Sequence, residues 1–200
     1  MKLLGLASMV RIKKYKSYKG EVGKIAPNIL NRDFSAVKPY TKWVTDITEF
    51  SLFGQKLYLS PILDLYNGEI ISYNISERPT FQQVTDMLDK AFNKIPDNSG
   101  LILHSDQGWQ YQMKQYHHRL QKKGIVQSMS RKGNCLDNSV MENFFGLLKS
   151  ELLYLQKFDN IEHFISDLHN YIFYYNHHRI KLNLKGMTPV QYRLHTLYSA

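Results

Sequence analysis

The sequence predicts an α/β fold with a five-stranded mixed sheet flanked by helices. Three apolar runs of strand length follow one another closely between residues 43 and 76, separated by short turn signals. From residue 80 the apolar spacing changes to three and four, the period of an amphipathic helix. Beyond that point, short strands alternate with helical stretches, which brings parallel pairing into a sheet that begins antiparallel.

The elements follow in order. Residues 26–41 read as a linker, punctuated by Pro27, Asn28, Asn31, Asp33, Ser35 and Pro39. Residues 43–50 form a first strand, which Phe53-Gly54-Gln55 turns back. Residues 57–65 form a second, with a bulge or distortion at Pro61 because proline lacks a ladder donor. Asn67-Gly68 is a hairpin turn leading into a third strand over 70–76. Residues 80–95 are helical, with Val84, Met87, Leu88, Ala91, Phe92 and Ile95 on one face and Thr80 with Gln83 as a capping box. A short buried strand over 101–104 precedes a helix over 110–123 that ends at Gly124. Residues 125–129 are the fifth strand, and 139–156 and 160–176 are two further helices. The helical connection between strands three and four places strand four parallel to a neighbour. If that neighbour is strand one, the arrangement is ribonuclease H-like.

Two hundred residues fit one domain or one domain with a short appendage. The 43% hydrophobic and 13% aromatic content describes a packed core and excludes a disordered chain. The formal charge of +9 favours a polyanionic partner. Residues 1–38 carry nine Lys/Arg against two Asp/Glu, so most of the excess lies in an N-terminal arm, and 39–200 form the core. Within the arm, Lys13, Lys14 and Lys16 alternate with Tyr15 and Tyr18, a pattern that neutralises phosphates while rings stack on bases or sugars. Cys135 is the only cysteine, which excludes an internal disulfide and a cysteine zinc finger and fits a reducing compartment. No stretch approaches the ~20 apolar residues of a membrane span. The apolar residues 3–10 are followed by a basic run without a cleavage pattern. A cytoplasmic protein is expected.

Three acids stand apart. Asp46 and Asp106 lie at the ends of apolar strand runs, and Glu142 lies at the start of an amphipathic helix. Adjacent carboxylates on rigid strands suit a hard divalent cation, since Mg²⁺ takes oxygen ligands and often only one or two protein carboxylates. Two such ions can clamp the attacking and leaving oxygens of a phosphoryl transfer. Lys149, seven residues after Glu142, returns to nearly the same helix angle. Plainer roles compete: Asp106 as a turn residue, Glu142 as the capping partner of Ser139, Lys149 as a solvated lysine. Arg131 and Lys132, in a polar loop ahead of the glutamate, are candidate DNA contacts or ordinary loop charges. His117-His118 and His177-His178 point in different directions on a helix and chelate poorly. Cys135 reads as a small packing residue, and Asp64 as an exposed strand-end carboxylate.

Trp43-Val44-Thr45-Asp46-Ile47-Thr48, His104-Ser105-Asp106-Gln107-Gly108 and Asp137-Asn138-Ser139-Val140-Met141-Glu142-Asn143-Phe144-Phe145 resemble the three carboxylate motifs of the DDE insertion-sequence transposases, of the retroviral integrase superfamily. The 35 residues between Asp106 and Glu142, the basic Lys149, and the closing runs Tyr175-Asn176-His177-His178-Arg179 and Met187-Thr188-Pro189-Val190-Gln191-Tyr192 extend the resemblance over roughly residues 38–195. It implies that Asp46, Asp106 and Glu142 ligate Mg²⁺ (two ions, with Mn²⁺ as an alternative). It further implies cleavage of transposon-end DNA and strand transfer into a target, Lys149 on DNA near the site, and a homo-oligomer on DNA. Relatives usually carry a helix-turn-helix region ahead of the core, and the first 38 residues hold no complete three-helix pattern. Recognition of the DNA ends then falls to a separate helix-turn-helix polypeptide, or the chain is a truncated, inactive DNA-binding remnant. A ribonuclease H-like nuclease that only hydrolyses is the other alternative.

Overall fold

The computed structural model describes residues 23–198, so Lys13, Lys14 and Lys16 of the expected arm lie outside it. Six strands form one mixed sheet: β1 (Lys42–Thr45), β2 (Thr48–Leu52), β3 (Gln55–Asp64), β4 (Ile70–Ser76), β5 (Ile102–Ser105) and β6 (Val126–Met129). The expected first strand is divided in two at Asp46 and Ile47: the β3 register sets Asp46 opposite Pro61, which has no N–H to give to the ladder, and the Ile47 N–H is taken by Asp46 Oδ1 (2.7 Å). The sheet is nevertheless five strands wide. The ten-residue β3 pairs along one edge with both β1 (Trp43 opposite Asp64) and β2 (Thr48 opposite Leu59), and along its other edge with β4. β1 then pairs in parallel with β5, and β5 in parallel with β6. The expected neighbourhood of strands one and four is therefore present.

The turn chemistry acts where the residues require it. Gly68 takes φ 70°, a value that costs any side chain strain, and its N–H closes the hairpin on Asp64 (2.8 Å). The β3–β4 register shifts at Ile62/Leu63, next to Pro61. Helix α1 (Phe81–Phe92) starts on half of the expected capping box: the Gln83 N–H donates to Thr80 Oγ1 (3.3 Å), while the Gln83 side chain turns to the Tyr58 carbonyl (2.7 Å). The helix expected from 110 opens as a 3-10 turn (Trp109–Gln112), and α2 (Lys114–Lys123) begins only after the extended Met113. α3 (Ser139–Leu148) passes into one π-helical stretch (Lys149–Leu153) instead of running on to 156. α4 (Ile161–His177) and α5 (Pro189–Tyr198) close the chain.

Each sheet face buries a separate cluster. Val44, Leu57 and Leu59 pack with Phe144, Leu148, Phe164, Leu168 and Tyr175 of α3 and α4. Trp43, Ile62 and Leu103 pack with Val84, Met87 and Leu88 of α1 and with Tyr116 and Leu120 of α2. The neighbours Trp43 and Val44 thus serve opposite faces, as strand alternation requires. β1 and β5 are held from both sides, which gives the residues at their ends a rigid base.

One expectation fails here. Asp64 is 1% exposed, not a solvated strand end. Its carboxylate accepts from the Tyr40 N–H (2.7 Å), the Tyr66 N–H (2.9 Å) and Trp43 Nε1 (3.2 Å), and burial pushes its pKa up despite these donors. It is a structural acid that fixes the linker against β1.

Candidate active site at the ends of the parallel strands

In β1 and β5, Val44 lies opposite His104. Carrying that parallel register two residues further brings Asp46 level with Asp106, both half-buried just past the strand ends. Asp106 is oriented locally, its Oδ1 accepting from the Gly108 N–H (2.8 Å). Glu142 arrives from the first turn of α3. Helix α3 starts without any side-chain cap bond, so the competing role of Glu142 in a capping box is not realised. Glu142 is exposed and its charge reaches Asp46.

Burial and charge act together on these acids. Burial pushes the Asp46 carboxyl well above the ordinary carboxylate range. The negative charges of Asp106 and Glu142 push it the same way, against hydrogen bonds from Ile47 and Asn138. Burial likewise raises Asp106 and Glu142. A buried carboxylate raised further by two acidic neighbours marks a site for positive charge, and the oxygens of the three are the donors a hard cation takes. Among the described residues no three His, Cys, Asp or Glu side chains stand close enough to make a finished metal cage. The fit is therefore in donor type and in the levelled Asp46 and Asp106, with the charge of the exposed Glu142 felt at Asp46.

Family models described as "Integrase core domain" match residues 36–135 and 142–197. The chain is 56% identical over 196 residues to the Escherichia coli (strain K12) protein assigned as transposase InsK of insertion sequence element IS150, spanning 98% of this chain and 69% of that one. It belongs to the integrase core domain family of insertion-sequence transposases. A transposase-like protein of Haemophilus influenzae is 53% identical across 98% of this chain and 91% of its own length. The IS904 transposase of Lactococcus lactis is 34% identical across 94% and 76%. Among solved structures, the simian T-cell lymphotropic virus intasome superposes with a TM-score of 0.66 over 90% of this chain and 60% of that one at 19% identity. The HTLV-2 integrase catalytic core, solved with magnesium in a trimeric form, gives 0.60 over 78% and 98% at 16% identity. These structures share the fold of the integrase core.

The remaining expected residues of this integrase core are placed unevenly. Lys149 opens the π-helical stretch, half-buried, its Nζ 5.6 Å from the centre of the Phe50 ring. Arg131 is engaged with Asp137, donating from Nε (2.9 Å) and Nη2 (2.8 Å). Lys132 is exposed on the same loop. Cys135 is exposed, contrary to the packing role expected of it, because the 3-10 turn that holds it (Cys135–Asn138) projects Cys135 and Leu136 outward. The paired histidines share no site: His117 meets Gln127 (3.1 Å), and His177 stacks on Phe173 (4.5 Å).

Three residues near the acids carried no expectation. Asn138 donates to the Thr45 carbonyl (3.4 Å) and to Asp46. Tyr111 is 1% exposed, and its pKa is raised by burial and by Asp46 and Asp106 against a bond with Thr45. His104 bridges Ser128 (2.8 Å) and Ser130 (3.1 Å) under the site, and burial pushes it down to about 4, so it is neutral at pH 7. Asn138 stands four residues before Glu142, the one sequence signal that marks it out.

Proposed function

We propose that Asp46, Asp106 and Glu142 form the metal-binding triad of a DNA strand-cleaving and strand-joining centre. The observation that carries this reading is the parallel register that levels Asp46 with Asp106, together with the rise in the Asp46 pKa caused by Asp106 and Glu142. Mg²⁺, as two ions, or Mn²⁺ would supply charge stabilisation at the scissile phosphate and activation of the attacking hydroxyl. The chain's own residues do the rest. The strand ends hold two carboxylates rigidly, Asn138 and the Ile47 N–H orient Asp46, and buried apolar walls from both clusters exclude water beneath the site. No side chain is assigned as a covalent nucleophile. Water adds to the scissile phosphorus and breaks its P–O3′ bond, freeing a 3′-hydroxyl; that hydroxyl then attacks a phosphodiester of the target strand and displaces the target's own 3′-oxygen, which leaves as a hydroxyl.

The substrate in this reading is transposon-end DNA joined to a target. Lys149 and Lys132 contact the backbone, Arg131 does so from its place on Asp137, and Lys13, Lys14 and Lys16 of the basic arm 1–38 add phosphate contacts. The chain acts in the cytoplasm as a homo-oligomer, with a separate helix-turn-helix polypeptide recognising the ends; no helix among the described residues is long and apolar enough to cross a membrane.

The test is strand cleavage and joining of a labelled DNA carrying the element's flanking repeat, with Mg²⁺, for the unmodified chain and Glu142→Gln. Metal-dependent joining that the substitution abolishes is the expected result. Nicking without joining would replace this reading with a hydrolytic nuclease. DNA binding with neither reaction would replace it with an inactive remnant.

A further inference from the structure

Five residues before Glu142 lies an acid that the proposed chemistry does not use. Asp137 is completely buried, yet it is reached by two cationic side chains that are themselves 53% and 41% exposed. Arg131 donates to it from its backbone N–H (3.0 Å), Nε (2.9 Å) and Nη2 (2.8 Å). Arg32 Nε (2.8 Å) and Asn28 Nδ2 (3.0 Å) donate from a segment more than a hundred residues away in sequence. Arg32 Nη2 also reaches Asn134 Oδ1 (3.0 Å) on the same loop.

The segment 26–32 is anchored a second time. The Ile29 and Leu30 N–H groups both donate to Ser128 Oγ (2.9 and 3.1 Å). Ser128 in turn bonds His104, two residues before Asp106. One strap therefore runs from beneath the Asp106 strand to the turn that launches the Glu142 helix. That turn has few other restraints. No side chain caps α3, Asn138 donates to the Thr45 carbonyl (3.4 Å) and to Asp46, and residues 131–133, 135 and 136 are exposed. The Glu142 side chain makes no hydrogen bond among the described residues, so its position follows from where the first turn of α3 is held.

We infer that Asp137 is a positioning residue for Glu142, clamping strap residues Asn28 and Arg32 to the head of α3. The inference rests on the reading of Glu142 as a metal ligand. It makes the strap a mechanical link: a pull on residues 28–32 is transmitted to the third carboxylate and reaches the metal site without touching DNA.

The test uses the full chain and two substitutions. Arg32→Met cuts the strap's arginine bonds and leaves Arg131 on Asp137; Asp137→Asn weakens both halves. Without metal, hydrogen–deuterium exchange over residues 135–148 is expected to accelerate about tenfold in Arg32→Met and further in Asp137→Asn, with peptides of α1 and β3 unchanged. In parallel, Mn²⁺ uptake followed by the EPR signal of the free ion is expected to weaken severalfold in both variants. Adding Glu142→Gln to Arg32→Met is expected to cause no further loss, although Glu142→Gln alone weakens uptake in the unmodified chain. Unchanged exchange over 135–148 overturns the clamp. Faster exchange with Mn²⁺ uptake that is intact and still depends on Glu142 also overturns it, leaving Asp137 as a loop anchor. If the unmodified chain takes up no Mn²⁺ while exchange accelerates as expected, the metal reading falls and the link between strap and helix stands.

Discussion

At the scale of single residues, the acids that suit the chemistry oppose the fold. The Asp46 pKa is raised, so the folded chain binds a proton there that the unfolded chain has lost. The metal-free protein is therefore less stable as pH rises through the interval between the ordinary carboxylate value of 3.8 and the raised one. Asp46→Asn is expected to raise the melting temperature of the metal-free protein at pH 7 and to flatten this dependence, as thermal melts across a pH series would show. His104 acts in the opposite sense. Its pKa falls from 6.5 to about 4, so its contribution is complete above 6.5 and is lost as pH drops toward 4. His104→Gln is expected to remove the loss of melting temperature over that interval. The sequence disclosed the three acids, since each sits at a strand end or helix start within a distinctive run. It did not disclose Asp64 or Asp137. Asp64 is held by backbone N–H groups and Trp43 Nε1, and Asp137 by Arg131 together with Arg32 and Asn28 from more than a hundred residues away, a convergence that leaves no local pattern.

At the scale of elements, what was legible is what local chemistry decides. The Thr80 cap, the Gly68 turn and the apolar stripe of α1 all formed where periodicity and turn residues placed them. Thr80→Ala is expected to cost ~1 kcal/mol in denaturant unfolding, the usual value of such a cap. Interruptions were not legible. The division of β1 from β2 falls where Asp46 meets the donorless Pro61 across the ladder and takes the Ile47 N–H itself, a pairing that shows only once the register is known. The π-helical stretch after Leu148 is equally silent in sequence. Within it, Glu151 takes Arg179 (2.7 Å) and the Tyr171 hydroxyl (2.9 Å), and Lys149 is turned over Phe50. Lys149→Ala is expected to weaken DNA binding evenly across sequences and to lower the salt dependence by about one phosphate contact, measurable by titration at several salt concentrations. Leu148→Ala, which opens a cavity under the same helix, is expected to cost ~2–5 kcal/mol.

At the scale of the whole molecule, the alternation of strands and helices was readable from the chain's rhythm, whereas the strand order was not: periodicity does not place the fourth expected strand beside the first, and the parallel β1–β5 register does. What rhythm could not show is that the linker is part of the domain. Residues 26–30 lie along the outer edge of β6: the Met129 N–H donates to the Pro27 carbonyl (3.2 Å), and Leu30 is 2% exposed within the core. That edge would otherwise present bare N–H and C=O groups to any passing strand. The family match begins at residue 36, beyond the strap. A chain shortened to that boundary would keep all three acids and every strand, and still expose a sticky rim to its own copies. It is expected to sediment as aggregates under conditions where a chain beginning at residue 23 stays dispersed. The smallest piece that resembles the family is thus smaller than the smallest piece that can keep to itself in solution.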